Sequence, residues 1–189
     1  MSDPIVAHVI GTITLLGALL IITAALTYIH FSNYIDSVNL MLAEVAEAAA
    51  REIVEVVSVY TLGGAGASYM KATLPDTLAG QPYLIRISGG GDNVLEITAR
   101  LQIYQQVRVV VMPNFGRYPV RAVPTRIPKE SFAGQVPADV SETLLMPLPE
   151  GYEPVIVVYR SADEGCAVPS SDPVTWRAIC VGLAAVPKR

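Results

Sequence analysis

The chain has 189 residues, of which 52% are apolar and only 16% are charged, with a net charge of −4 from 13 basic and 17 acidic side chains. Soluble domains ordinarily carry about a quarter charged residues, so this composition excludes a disordered chain and is unusual for a cytosolic protein. Residues 1–60 hold six acids and one base (−5), whereas residues 61–189 hold eleven acids and twelve bases (+1). Neither part has the basic excess that nucleic-acid binding requires.

The N-terminal segment 5–32 is uniformly apolar, and no Asp, Glu, Lys or Arg occurs between Pro4 and Ile35. As a helix, about 28 residues reach roughly 42 Å, more than the roughly 30 Å of a bilayer's hydrocarbon core. A secretory signal peptide fits poorly, because a basic n-region is missing and the apolar run is about twice the usual length. Asp3 as N-cap and Pro4 at the first helical position predict where the helix begins.

From residue 34 to residue 60 the pattern becomes amphipathic. Charged side chains, among them Glu47 and Arg51, fall on one side of a helix, and that pair has a favourable four-residue spacing. Leu62-Gly63-Gly64 is the natural stop, so we predict one nearly continuous helix over residues 4–61, within an N-terminal region 1–62. The apolar positions recur at steps of three or four and predict the face that packs on the following domain: Ile35, Val38, Leu42, Val45, Ala49, Ile53, Val56 and Tyr60.

Segment 63–80 begins with small residues and is predicted to be a flexible linker. A β domain is predicted to follow over residues 81–189. Apolar and polar residues alternate with a period of two in 82–88 and in 95–103. These segments lie on either side of a Gly-rich turn and together predict a hairpin. Further strands are predicted at 107–112, 118–123, 154–160 and 174–183, with many prolines between them. The fold class is therefore α+β, a long N-terminal helix followed by an antiparallel sandwich or small barrel.

The two cysteines, Cys166 and Cys180, lie fourteen residues apart. In an exported domain a disulfide between them would contribute roughly 3 kcal/mol, and the alternative is two unrelated thiols. His8 and His30, the only histidines, both lie in the apolar helix, so no Ser–His or Cys–His pair can form in the β domain. No further Cys or His completes a metal site. We therefore expect no enzymatic activity, no cofactor and no metal.

An apolar N-terminal helix that runs into an amphipathic helix and then a β domain resembles the type IV pilin-like superfamily. The resemblance is closest to archaeal pilins, archaellins and accessory archaellum proteins, and it implies an immunoglobulin-like sandwich. In that family the apolar helix anchors the subunit in the membrane and then enters a helical bundle at the filament core. Bacterial pilins carry Glu at the fifth mature position, where this chain has Ile5, so the archaeal members are the better match. The family's basic leader is not visible before Met1, which implies a processed chain or an uncleaved member.

The expected function is that of a structural subunit, which polymerises with copies of itself into a cell-surface filament after residence in membrane lipid. Other surface or assembly proteins are further candidate partners. The alternative is a single-span membrane protein whose β-sandwich serves as anchor or stator of a surface appendage. The amphipathic extension 34–60 separates the two, because a simple anchor needs only about 20 apolar residues. In a filament core we expect packing by Ile5, Ile10, Gly11, Leu16, Gly17, Leu20, Ala24 and Phe31.

Overall fold

The computed structural model describes residues 4–63, 66–91, 94–103, 108–116, 119–167, 169–170 and 177–188. Helix α1 spans Pro4–Gly63 without interruption, which confirms the continuous helix predicted from the sequence. The proposed N-cap Asp3 and the second glycine of the stop signal, Gly64, lie outside the described residues. The chain divides into two units, Met1–Val38 and Asn39–Arg189.

The second unit contains the end of α1 and eight strands in two four-stranded sheets. The order in the first sheet is β1-β7-β8-β5, and the order in the second sheet is β4-β3-β2-β6. Two sheets with four free edges form a sandwich and not a closed barrel, in agreement with the α+β class. The strands are β1 Ala67–Lys71, β2 Tyr83–Gly91, β3 Val94–Leu101, β4 Arg108–Val111, β5 Val120–Ala122, β6 Thr143–Met146, β7 Tyr152–Ser161 and β8 Ala178–Pro187.

The strand pairing differs from the sequence-based expectation at one place. β5 pairs with β8 in parallel, whereas the other pairings between these strands are antiparallel. A parallel pair needs a long connection instead of a tight hairpin, and here the chain makes β6 and β7 between the two strands. The sandwich is thus antiparallel-rich with one parallel edge.

Two strands lie where none was predicted. β1 falls within segment 63–80, which the sequence analysis assigned to a linker, and it pairs with β7 from Ala67↔Tyr159 to Lys71↔Val155. β6 falls within the proline-rich stretch and pairs with β2. The predicted hairpin 82–103 is observed as β2 and β3, while residues 107, 118 and 174–176 of the other predicted strands lie outside the described residues.

The core of the second unit has two layers. In β3 every second residue is buried, from Leu95 to Leu101, as the predicted alternation requires. β7 and β8 are buried on both faces, because residues 123–140 cover the side of the first sheet that faces away from the rest of the sandwich. We call residues 123–141 the strap. The predicted disulfide joins Cys166 to Cys180, whose Cα atoms are 5.7 Å apart, and both residues are fully buried.

Candidate functional site

The helical part of the first unit exposes its apolar side chains on every side. Exposed fractions are 59% for Ile10, 54% for Leu16, 71% for Leu20 and 53% for Phe31, and Ala24 is exposed as well. A Cβ added at Gly11 or at Gly17 would meet nothing within 4 Å. The side chain of Ile5 lies outside the described part of the structure. The residues expected to pack in a filament core therefore lie in the helix and, where described, lack partners within this chain.

The four threonine hydroxyls of this segment bond to the helix itself. The hydroxyl of Thr12 donates to the carbonyl of His8, that of Thr14 to Ile10, that of Thr23 to Leu19 and that of Thr27 to Thr23, at 2.8–2.9 Å. Because each hydroxyl bonds one turn back, it needs no water and does not add a polar site to the helix surface. The outer surface of the segment is accordingly uncharged by Asp, Glu, Lys or Arg and mostly apolar, with His8 and His30 near its two ends.

By length and composition, α1 is apolar enough to cross a membrane, and none of its most apolar window is buried. Membrane anchors and N-terminal signal segments share this property. A helix that is apolar all round needs an apolar environment on all sides, whether that environment is lipid or other helices.

The face predicted to pack on the β domain is largely buried. Within the second unit, Leu42 and Ile53 are completely buried, and Val45 and Val56 are 7% exposed. The other two predicted residues, Ile35 and Val38, belong to the first unit. Three further residues of this face, Ala46, Ala50 and Val57, are also buried, although the sequence analysis did not single them out. The alanines gave no strong hydrophobic signal, and the buried face is wider than the predicted stripe.

Polar contacts at the end of α1 fix it against the first sheet. Both carboxylate oxygens of Glu52 accept the backbone N–H of Thr73, at 3.0 and 3.1 Å. The Tyr60 hydroxyl donates to the carbonyl of Gly66, and the Arg160 guanidinium lies 5.5 Å from the Tyr60 ring centroid. Burial raises the pKa of Tyr60 above its ordinary value, against the opposing charge of Arg160. This part of the helix is therefore held in place by hydrogen bonds as well as by apolar packing.

A shallow groove of about 1050 Å³ lies between the strap and β8. Arg126 donates through Nε to Asp139 at 2.9 Å, and the backbone N–H of Lys129 donates to the same carboxylate at 2.9 Å. The Lys129 bond, followed by the Arg126 bond, holds the pKa of Asp139 below its usual range. These contacts join three parts of the strap, around Arg126, Lys129 and Asp139, to one another.

Within the described ranges, no group of three or more His, Cys, Asp or Glu side chains could hold a metal ion. Protein-family models, curated proteins and solved structures yielded no match to this chain. The architecture of one long apolar N-terminal helix followed by antiparallel sheets is compatible with that of pilin-like proteins. The exposed apolar helix is therefore the candidate functional element of the described chain.

Proposed function

We propose that this protein is a pilin-like structural subunit that polymerises through its apolar N-terminal helix into a cell-surface filament. One observation supports the proposal above all others, namely an uncharged helical segment whose large apolar side chains are exposed on all sides. Burial of one such Leu or Ile side chain is favourable by about 1.5–3 kcal/mol relative to its exposure to water. Burial among copies of the same helix removes this cost.

Two further features favour a helical polymer over permanent residence in lipid. The uncharged run reaches roughly 42 Å as a helix, which exceeds the roughly 30 Å that a bilayer span requires. Gly11 and Gly17 leave open space on the helix surface. Apolar helices associate by close van der Waals packing, which small residues allow.

The primary test is isolation of surface filaments, followed by electron microscopy and N-terminal sequencing of their subunit. We expect filaments that contain this chain, with residues 5–32 in a dry core. Leu16→Asp should abolish filaments, because a carboxylate cannot be desolvated in such a core, whereas Leu16→Met should retain them. A detergent-solubilised, monodisperse monomer that never enters filaments would contradict the proposal.

A second variant separates a polymer from a simple membrane anchor, the alternative left open by the sequence. The double substitution Gly11→Leu and Gly17→Leu keeps the helix apolar and therefore keeps its partition into membranes, but it blocks close approach of neighbouring helices. We expect normal amounts in the membrane fraction and few filaments. The control Leu20→Ile adds no bulk and should assemble normally. A simple membrane anchor would tolerate both the double glycine substitution and Leu20→Ile, because lipid adapts to added apolar side chains.

A further inference from the structure

The solvent side of α1 in the second unit combines apolar and acidic side chains. Leu40, Val59 and Leu62 are exposed by 63%, 66% and 89%, on the side of the helix opposite its buried face. Between them, four exposed charged residues recur at steps of three or four and share one side of the helix. We call this set the helix outer face: Leu40, Glu44, Glu47, Arg51, Glu55 and Leu62.

The second sheet presents an outer face that combines leucine and arginine side chains. The inward residues of β2, from Tyr83 to Ile87, are completely buried, so Leu84 and Arg86 between them point outward. The strand register places Leu84 beside Arg100 on one side and beside Leu145 on the other. Leu145 is 46% exposed. We call this set the arginine face: Leu84, Arg86, Thr98, Arg100 and Leu145.

The positive charge of the arginine face is concentrated at Arg100. Arg86 is already paired, with its Nη2 at 3.2 Å from Oε1 of Glu142, and Glu96 lies further along the same outer side of the sheet. Among the described residues, the side chain of Arg100 has neither a hydrogen bond nor an ion pair.

We propose that the helix outer face of one copy docks on the arginine face of a second copy. This inference rests on the proposed function and names the contact between subunits outside the apolar core. Exposed leucines occur in both faces, and the glutamates of the helix outer face match the unpaired charge at Arg100. A contact between two different faces of one chain can repeat from copy to copy, and it extends into an open polymer when the rotation between copies does not close. A nucleic acid is a poorer partner, since the chain's net charge is −4.

Charge reversal of each face tests this contact in the full chain. One variant carries Arg86→Glu and Arg100→Glu, and the other carries Glu44→Lys, Glu47→Lys and Glu55→Lys. Each variant alone opposes like charges, so we expect the concentration needed for assembly to rise by about tenfold or more. In an equal mixture of alternating copies, intact faces meet intact faces and altered faces meet altered faces of reversed charge. Both contacts are attractive, so the mixture should assemble as well as the unaltered chain. Lys188→Glu, on an exposed residue outside both faces, is the control and should assemble normally.

The recovery in the mixture also shows that both variants fold, because a misfolded chain could not co-assemble. If the unaltered chain forms filaments and each variant alone assembles equally well, the docking contact is wrong while the proposed function stands. If the variants fail alone and the mixture also fails, the two faces are not partners. If the unaltered chain forms no filaments at all, the proposed function falls, and the docking contact falls with it.

Discussion

Tyr159 links the core of the first sheet to the disulfide. Its side chain is 1% exposed, its ring meets the edge of the Phe132 ring at 5.2 Å between centroids, and its hydroxyl donates to the carbonyl of Cys166 at 2.6 Å. Burial raises the pKa of Tyr159 above its ordinary value of 10.0, and the negative charge of Asp163 raises it further. The ring and its hydrogen bond therefore hold the Cys166 loop against β7.

The raised pKa of Tyr159 predicts a loss of stability at alkaline pH. As the pH passes about 10, tyrosine in the unfolded chain loses its proton while buried Tyr159 keeps it, so unfolding becomes more favourable. Tyr159→Phe should lower the free energy of unfolding at neutral pH by about 0.5–1.5 kcal/mol and should reduce the alkaline loss. Denaturant unfolding in detergent at pH 7 to 11 measures both effects.

Tyr69→Phe is the control for Tyr159→Phe, since Tyr69 is 37% exposed on β1, and it should leave both quantities nearly unchanged. Tyr83, whose pKa burial also raises, accounts for part of the alkaline loss that remains. Equal alkaline slopes in the unaltered chain and in Tyr159→Phe would contradict the assignment.

At the scale of the elements, local periodicity predicted α1, β2 and β3 because each has a long, regular apolar pattern. β1 and β6 were missed because neither has a clear alternating pattern of its own, and each pairs with a strand distant in sequence. β1 pairs with residues 155–159, and its own sequence, ASYMK, does not alternate clearly. The parallel β5–β8 pair likewise depends on a connection that no local pattern specifies.

The candidate site, like the fold, could be predicted only in part from the sequence. The uncharged run and the buried helix face follow from residue order alone, and these positions were predicted. The arginine face does not follow from residue order, since Leu84, Arg100 and Leu145 become neighbours only through the register of three strands. Glu44 and Glu55 fall outside the buried stripe in the sequence, but nothing there connects them to Arg100.

The packing of the strap on β8 requires glycine at position 182. A Cβ at Gly182 would lie 2.9 Å from Cγ2 of Val123 and 3.3 Å from the carbonyl oxygen of Ser141, and it would also collide with Val140. Ser141 and Leu183 exchange two backbone hydrogen bonds of 2.8 Å, so the strap cannot move away without losing them. Side chains on β8 at this point are therefore limited by the strap.

We expect Gly182→Ala to lower the free energy of unfolding by about 1–3 kcal/mol, the usual cost of overpacking a core. Gly89→Ala on β2 is the matched control, because a Cβ there meets nothing within 4 Å, and it should cost little. Denaturant unfolding of both variants provides the comparison. Equal stability of the two would show that the strap yields easily and that its contact with β8 is loose.

At the scale of the whole molecule, the structure assigns the two parts of α1 to different units. Residues up to Val38 belong to the first unit, and residues from Asn39 onward belong to the second. In the second unit, Leu42, Ala46 and Ile53 are completely buried, so the end of α1 is part of the core of the sandwich unit. The second unit should therefore fold only when this part of the helix is present.

Two truncated chains test this dependence. Residues 39–189 retain the helical segment, whereas residues 64–189 retain all eight strands but lack it. Loss of the segment removes several buried Leu, Ile and Val side chains, each of which contributes about 1.5–3 kcal/mol. Their sum is comparable with the whole free energy of unfolding of a typical domain, about 5–15 kcal/mol. We expect residues 39–189 to unfold cooperatively on heating, as followed by circular dichroism, and residues 64–189 to show no cooperative transition. Equally cooperative melting of both would mean that the sandwich has a sufficient core of its own and that the helical segment only covers it.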